Sequence, residues 1–353
     1  TGSVGILSDP ARHIELNGRQ YIRLNVLGKG GSSCVYRIIG ADDGQVYAYK
    51  RVEVRDSDDV DAVFDNYANE IALLRRLSSS AQSNTDSNSN PTVRSSSQSR
   101  IIELVDFEVR RDKSYIAMVL EAGDIDLAKV LTQKTARNSS SSNSGSISQG
   151  LDPFFARMVW REMLEAVHHI HQHRIVHGDL KPANFVFVKG HLKLIDFGIA
   201  KSFSSDTTNI YRESQIGTIN YMAPEAIAPM TEEDGHHGGD DRQKMRLGRA
   251  SDVWSLGCIL YQMVYGRPPF AALNTIQKLS TIPNPKHVIK YADWAEPDAV
   301  DSMKACLVHD PRQRSKIHGP GGLLERPYLC VSTAAKSSCS AGTVAIGKVT
   351  AIL

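Results

Sequence analysis

Residues 177–184, HGDLKPAN, and residues 194–198, LIDFG, decide how this sequence is interpreted. Asp179 and Asn184 lie five positions apart, and Asp196 follows Asn184 by twelve, between an apolar stretch and a glycine. Lys181 adds an ammonium group two positions after the first aspartate. Two carboxylates, one carboxamide and one cation are thus concentrated in a short part of the chain. Any one motif could arise by chance, but the ordered set is a strong signal.

These groups match the chemical requirements of phosphoryl transfer. The reaction needs a carboxylate that orients the attacking hydroxyl, an amide and a carboxylate that hold Mg²⁺, and a cation that offsets the charge of the γ-phosphate. Asp179, Asn184, Asp196 and Lys181 supply those groups. The sequence therefore predicts an enzyme that transfers a phosphoryl group with ATP and Mg²⁺.

Composition limits the class of partner. Of 353 residues, 41% are apolar and 23% charged, as in an ordinary globular protein. The 41 basic and 39 acidic residues nearly cancel, which gives no support to nucleic acid or a membrane as a partner. The longest apolar run, residues 253–266, is too short to span a bilayer and predicts a buried core helix. Five scattered cysteines predict reduced, mostly buried thiols in an intracellular protein, and a first residue other than Met predicts a piece of a longer chain.

The order of patterns predicts an α+β fold with two lobes. Residues 21–49 alternate apolar and polar side chains around glycine breaks, with DDG at 42–44 as a hairpin signal. A helical pattern follows at about 62–77, and two further strands at 101–110 and 114–123. From Pro153 the spacing becomes helical. A small β-rich N-lobe and a larger helical C-lobe are expected, with a cleft between them.

Segments rich in small polar residues interrupt this pattern. They cannot bury enough apolar surface to become ordered, so disordered insertions are expected at 78–100, 134–149 and 230–248. Residues 1–20 are predicted to be an N-terminal extension and residues 331–353 a flexible tail. The main domain is expected to span 21–330, with the N-lobe at 21–120, a hinge at 121–123 and the C-lobe at 124–330.

Two further patterns leave alternatives open when taken alone. Residues 27–37, LGKGGSSCVYR, could cover phosphate oxygens with glycine N–H groups, but Ser33 replaces the last glycine of GxGxxG and a plain turn is the more common explanation. Lys50 on a strand and Glu70 on the next helix could pair at a nucleotide, or both could be solvated. Four histidines at 168–173 fall at helical spacing without a completing acid or thiol, which favours a solvated or capped helix end over a metal site.

From about Tyr21 to Leu329 the chain resembles eukaryotic protein kinase domains. More narrowly, it resembles the monopolar-spindle kinases, dual-specificity enzymes of the spindle assembly checkpoint. The narrower resemblance rests on GGSSCVY, NEIALL, GDIDL, MLEAVHHIHQHRIVHGDLKPANF, LKLIDFGIAKSF, DTTNIYRESQIGTINYMAPEAI and SDVWSLGCILYQMVYGRPPF. The stretch DTTNIYRESQIGTINYMAPEAI at 206–227, which corresponds to the activation segment of kinases, is the most specific of these.

The resemblance implies a role for each matching position. Asp179 would orient the substrate hydroxyl, Lys181 would steady the γ-phosphate, and Glu70 would hold Lys50 at the α- and β-phosphates. Asn184 and Asp196 would bind Mg²⁺. Residues implied in ATP binding are Leu27, Gly28, Lys29, Gly30, Gly31, Val35, Ala48, Lys50, the gatekeeper Leu120, Glu121, Ala122, Gly123 and Val186.

Structural roles are implied as well. Leu74, His177 and Phe197 would stack in an apolar column between the lobes, and Glu225 would pair with Arg314. Gly178 stands where many kinases have an arginine that binds an activation-segment phosphate, and the narrower family also lacks that arginine. This departure is expected to change how the enzyme is activated, not to abolish activity.

The function implied is phosphorylation of Ser/Thr, and of Tyr through the family resemblance, in kinetochore and checkpoint proteins. Lys181 and Thr218 resemble Ser/Thr kinases more than Tyr kinases. Thr207, Thr208 and Thr218 are predicted phosphorylation sites, and transient self-association would allow autophosphorylation in trans. The expected location is intracellular: the nucleus with its kinetochores, and the cytoplasm. The alternatives are an active Ser/Thr kinase of another family and a silent kinase fold that serves as a scaffold.

Overall fold

Nine strands and seven helices make up the part of the chain that the computed structural model describes. That part comprises residues 12–30, 33–55, 59–80, 99–140, 150–197, 218–227 and 248–330. The strands precede most of the helices, as expected for a β-rich N-lobe and a helical C-lobe.

Six antiparallel strands form the N-lobe sheet in the order β1-β2-β3-β4-β6-β5. One sheet face buries Tyr21, Ile38 and Val119, and the other packs Val52 and Met118 against helix α1. The elements are β1 (His13–Leu16), β2 (Arg19–Lys29), β3 (Ser33–Gly40), β4 (Val46–Glu53), α1 (Val60–Ser80), β5 (Leu104–Arg110) and β6 (Tyr115–Glu121).

Strand β1 was not predicted, because residues 1–20 were assigned to an extension outside the domain. It pairs with β2 through a two-residue turn at Asn17 and Gly18, both of which have positive φ. Asn-Gly is the preferred sequence of this hairpin turn, so the signal was present in the sequence. The predicted β3–β4 hairpin is confirmed, with Gly44 at φ +63°.

The C-lobe packs helices around the buried α3 and α5. Asp152 caps α3 by accepting a hydrogen bond from the Phe155 N–H, and Trp160, Leu256 and Met263 are fully buried. The predicted core helix at 253–266 is therefore confirmed. The elements are β7 (Ile125–Asp126), α2 (Leu127–Ser140), α3 (Pro153–Gln172), β8 (Phe185–Val188), β9 (His191–Leu194), α4 (Pro224–Ile227), α5 (Arg249–Tyr265), α6 (Thr275–Thr281) and α7 (Pro297–Cys306).

Two helices extend further than the sequence indicated. Helix α1 ends at Ser80, past the predicted start of the first insertion at 78, and α2 ends at Ser140, past the predicted start of the second at 134. A helix nucleated by packed residues propagates into polar sequence at little cost. In α2, Thr132 and Thr135 also donate to carbonyls one turn earlier. Residues 81–98, 141–149, 230–247 and 331–353 lie outside the described residues.

The described regions can be checked for membrane-spanning helices and for the state of the cysteine thiols. No helix there is both long and apolar enough to cross a bilayer. Cys34, Cys258, Cys306 and Cys330 are free thiols, of which Cys258 and Cys306 are buried. Burial raises the pKa of the Cys306 thiol to about 12. The prediction of mostly buried thiols thus fits two of these four, while Cys330 is exposed.

Candidate active site

Lys50 and Glu70 form an ion pair between the sheet and helix α1. The Lys50 Nζ lies 3.3 Å from Glu70 Oε1, and the two side chains are only 14% and 9% exposed. The ammonium also lies 5.2 Å from the centre of the Tyr67 ring, which adds a cation–π contact. The alternative of two separately solvated side chains is therefore wrong.

Electrostatics keep Lys50 charged. Burial lowers the pKa of Lys50, but Glu70 and then Asp196 raise it by more, so the pKa lies above its ordinary value. Asp196 Oδ1 is 3.9 Å from the Lys50 Nζ. This contact joins the N-lobe sheet to the segment that follows β9 and brings three of the predicted site residues together.

A backbone hydrogen bond connects the segment that carries Asp196 to the loop that carries Asn184. The Ile195 N–H donates to the Asn184 carbonyl at 2.8 Å, which ties the residue before Asp196 to the loop. Asp196 has φ +59°, an uncommon conformation for a residue other than glycine. Its side chain remains 58% exposed and so is accessible to a ligand.

Asp179 and Thr218 both contact Lys181, which lies in the loop of residues 177–184, called the catalytic loop below. Its Nζ donates to Asp179 Oδ2 at 2.9 Å and to Thr218 Oγ1 at 3.4 Å. The sequence analysis expected Thr218 near both residues, and this geometry is confirmed. A cation thus lies directly beside the carboxylate that is predicted to orient a hydroxyl group.

The side chain of Asn184 is held within this loop, where the residue is only 4% exposed. Its Oδ1 accepts the Lys181 N–H at 3.1 Å, while the Asn184 N–H donates to the Lys181 carbonyl at 2.9 Å. An amide oxygen has two lone pairs, so one remains for a metal ion. With the exposed Asp196 carboxylate, this gives oxygen donors of the kind that Mg²⁺ prefers. Among the described residues, no group of three or more His, Cys, Asp or Glu is arranged to hold a metal ion.

Asp252, on α5, anchors the catalytic loop through hydrogen bonds, and this role was not predicted. Its Oδ2 accepts the His177 N–H at 3.0 Å, and its Oδ1 accepts the Gly178 N–H at 2.8 Å. His171 Nε2 lies 2.7 Å from the same Oδ2. His171 is thus buried and bonded rather than solvated, whereas His173 is the C-cap residue of α3, in line with the expected capped helix end.

Apolar residues that are predicted to contact adenine lie on strands next to Lys50. Ala48 on β4 is paired with Leu120 on β6, and Val35 is paired with Lys50. A Cβ added at Gly123 would lie 1.9 Å from Val186 Cγ1, so only glycine allows this close approach. The predicted hinge begins at Glu121, the last residue of β6.

A buried ion pair holds Glu121, the first residue of the predicted hinge, and the sequence analysis did not predict this pair. Lys193 Nζ on β9 donates to Glu121 Oε1 at 2.5 Å, with side chains 3% and 17% exposed. The same Oε1 accepts the Glu103 N–H. Lys193 is two residues before Ile195, so this bond connects the hinge to the strand that leads to Asp196.

Two structural predictions can be compared directly with the geometry. His177 and Phe197 have ring centres 6.5 Å apart, and Leu74 is buried in the same hydrophobic cluster as Phe197. Arg314 Nη1 and Nη2 donate to the two Glu225 carboxylate oxygens at 2.6 and 2.7 Å. The predicted Glu225–Arg314 pair is therefore confirmed.

Other predicted positions fall at the edge of the site or beyond it. Leu27 is half-buried, and Gly28, Lys29 and Gly30 are exposed where β2 turns toward β3. The Gly30 N–H donates to the Ser33 carbonyl, so Ser33 helps to close this loop. Gly31, Thr207 and Thr208 lie outside the described residues.

Comparisons with known proteins agree with this arrangement. The protein kinase domain family matches residues 21–329. The chain is 44% identical to the probable serine/threonine-protein kinase mps1 of Dictyostelium discoideum over 86% of its length. It is 43% identical to the serine/threonine-protein kinase mph1 of Schizosaccharomyces pombe over 88% of its length, and 42% identical to the dual specificity protein kinase TTK of Mus musculus over 90%.

These relatives are longer proteins. The chain spans 27%, 43% and 32% of their respective lengths. Their names confirm the narrower resemblance that the activation-segment and catalytic-loop motifs indicated. Since the family match covers most of the sequence and both lobes are present, the chain belongs to the protein kinase domain family.

Proposed function

We propose that the chain is the catalytic domain of an ATP- and Mg²⁺-dependent kinase that phosphorylates Ser and Thr, and also Tyr, in proteins. The observation that carries the proposal is the convergence of two groups of residues. Lys50 contacts both Glu70 and Asp196, which joins the two lobes. Lys181 contacts Asp179 in the catalytic loop.

The transfer follows from these placements. The Asp179 carboxylate orients the substrate hydroxyl and accepts its proton as the oxygen attacks the γ-phosphorus of ATP, and the bond to the β-γ bridging oxygen breaks to release ADP. Lys181 offsets charge on the transferred group, and Lys50 orients the α- and β-phosphates. Asn184 and Asp196 would hold Mg²⁺, which supplies neutralisation of phosphate charge when bound.

The test compares phosphate incorporation from radiolabelled ATP by the unmodified chain, Asp179→Asn and Asp196→Ala. We expect each substitution to reduce incorporation by roughly 10²-fold or more, because each removes a group used at the reacting atoms. Asp293→Asn, which changes an exposed carboxylate on a distant loop, is the matched control. Equal incorporation by all four proteins would exclude the kinase and favour the scaffold alternative.

We further propose that the kinase acts on kinetochore proteins in spindle assembly checkpoint signalling. The support is the similarity to kinases named mps1, mph1 and TTK. A peptide containing Met-Glu-Leu-Thr should be phosphorylated at least tenfold faster than the same residues in scrambled order. No preference between the two peptides would favour a Ser/Thr kinase of another family.

Autophosphorylation of Thr207 and Thr208 in trans is the proposed means of activation. Added phosphate charge would order the activation segment by attracting nearby cations. Mass spectrometry of the active chain should show phosphate between residues 203 and 218, and Asp196→Ala protein made in bacteria should lack it. An active chain without phosphate in that interval would contradict the proposal.

A further inference from the structure

A groove lined by basic side chains lies on the C-lobe, apart from the residues of the proposed transfer. It has a volume of about 540 Å³ between the end of α3, the start of α5 and the segment 311–318. We call it the basic groove, and the side chains that line it include Arg174, Arg249, Lys316, Arg314, His168 and His318. No aspartate or glutamate of the described chain lines it.

The cations of the groove differ in whether they are already neutralised. Arg314 is paired with Glu225, and Arg312 with Asp310. The side chains of Arg174, Arg249 and Lys316 have no hydrogen bond or ion pair with another residue in the described part of the chain, and all three residues are exposed. The groove therefore carries about three uncompensated positive charges around one concavity.

Two stacked histidines also line the basic groove. The His168 and His318 rings stack with their centres 4.9 Å apart. Burial lowers the pKa of His168, and His318, His171 and Arg249 lower it further through their charge. Arg249 is also the first residue of α5, whose dipole adds partial positive charge to the groove, while the C-terminal end of α3 at the same groove adds partial negative charge.

We propose that the basic groove binds a phosphorylated Ser or Thr side chain of a peptide. A phosphate monoester carries nearly two negative charges and three acceptor oxygens, which suits guanidinium groups that can each donate twice. A concave site of this volume fits one compact anion with its flanking residues. Nucleic acid is less favoured because the whole chain has a charge of only +2.

The groove is connected to the catalytic loop through one buried bond. His171 lines the groove and is hydrogen-bonded to Asp252, which holds the N–H groups of His177 and Gly178. A peptide bound here would touch residues next to this anchor without occupying the cleft at Lys50 and Asp196. The site would thus let the domain retain a previously phosphorylated protein while the cleft remains open.

The experiment measures fluorescence anisotropy of a labelled peptide, Gly-Ser-Ala-phosphoThr-Ala-Ser-Gly, with the chain in the absence of nucleotide. Because no transfer is required, the result is independent of the proposed kinase activity. We expect binding of the phosphopeptide, no binding of the unphosphorylated peptide, competition by inorganic phosphate, and weaker binding at higher salt.

Substitutions locate the bound peptide. Arg249→Glu and Lys316→Glu should each weaken binding roughly tenfold or more, since each removes a charge-assisted contact and adds repulsion. Lys286→Glu makes the same charge change on an exposed loop and should leave affinity unaltered. Urea unfolding curves will verify that the variants fold.

Three results would overturn the proposal. The first is phosphopeptide binding that is unaffected by Arg249→Glu and Lys316→Glu, since the peptide would then be bound elsewhere, as in the catalytic cleft. The second is equal binding of both peptides. The third is tighter, Arg249-dependent binding of poly-uridylate RNA or of phosphatidylserine vesicles, which would assign the groove to a different polyanion.

Discussion

Gly178 has a conformational reason for being glycine. Its φ is +74°, and its N–H donates to Asp252 Oδ1 at 2.8 Å. A side chain at this position would have to adopt the left-handed conformation, which only glycine enters without strain. Glycine at position 178 therefore avoids backbone strain just before Asp179. The absence of arginine leaves the anchored loop intact, consistent with a change in activation and not with a silent site.

Gly178→Ala should lower the free energy of unfolding by about 1 kcal/mol, because alanine is strained at positive φ. The measurement is urea unfolding at equilibrium. Gly28→Ala is the matched control, since Gly28 lies outside the left-handed region and no atom lies within 4 Å of an added Cβ. The control should not lower the free energy of unfolding, because alanine at a compatible φ mainly reduces the entropy of the unfolded chain. Equal effects of the two substitutions would show that the positive φ is not the source of strain.

At the scale of single elements, helix α1 positions the Lys50–Glu70 ion pair of the candidate site. It contributes Glu70 to the ion pair and Tyr67 to the face of the Lys50 ammonium. The hydrophobic contact of Phe64 and Ile71 with Val52 and Met118 holds the helix against the sheet. The position of Lys50 therefore depends on how α1 is seated, which couples the packing of an element to the chemistry of the site.

Glu70→Ala tests this coupling. The substitution removes the carboxylate that holds Lys50, and we expect Lys50 to move toward Asp196. The value of kcat/KM for ATP should fall by roughly 100-fold, since a misplaced group can cost that much. Asn69→Ala, at the exposed neighbouring position on the same helix, should leave kcat/KM within about twofold. A similar loss in both variants would mean that helix stability, not the ion pair, determines the effect.

At the scale of the whole molecule, the sequence predicted the architecture and several residues that the structure places together. The strand-rich front and helix-rich back of the sequence predicted two lobes around a cleft, and the structure brings Lys50, Glu70 and Asp196 together. The motifs identified these positions because their residue types and spacing can be recognised whatever the surrounding residues are. Helix and strand periodicity succeeded because the core elements are strongly amphipathic or buried.

What escaped prediction depends on contacts between distant parts of the chain. Asp252 lies 75 positions after His177, and Lys193 lies 72 after Glu121. Nothing in the local pattern of either residue distinguishes it from a solvated charge. The ends of α1 and α2 were missed because propensity alone does not determine where a packed helix stops. Strand β1 is different, since its Asn17-Gly18 turn was readable.

The Glu225–Arg314 pair gives the folded domain a predictable response to acid. Burial raises the pKa of Glu225, but Arg314 lowers it by more, so the pKa lies below its ordinary value. A depressed pKa in the folded state means that the pair stabilises the fold fully above about pH 4.5, and this stabilisation is lost as pH falls through the lower, folded-state pKa. Arg314 is fully buried, so loss of its partner leaves an uncompensated charge.

Glu225→Gln should therefore lower the free energy of unfolding at pH 7 by about 3 kcal/mol. The difference from the unmodified chain should shrink as the pH is lowered below 4.5, because protonation removes the same charge from Glu225. Urea unfolding at a series of pH values measures both quantities. Asp293→Asn, which changes an exposed and distant carboxylate, should give a difference near zero at every pH. A Glu225→Gln difference that stays constant down to the acid limit would show that the lost stability comes from side-chain packing and not from the charge on Glu225.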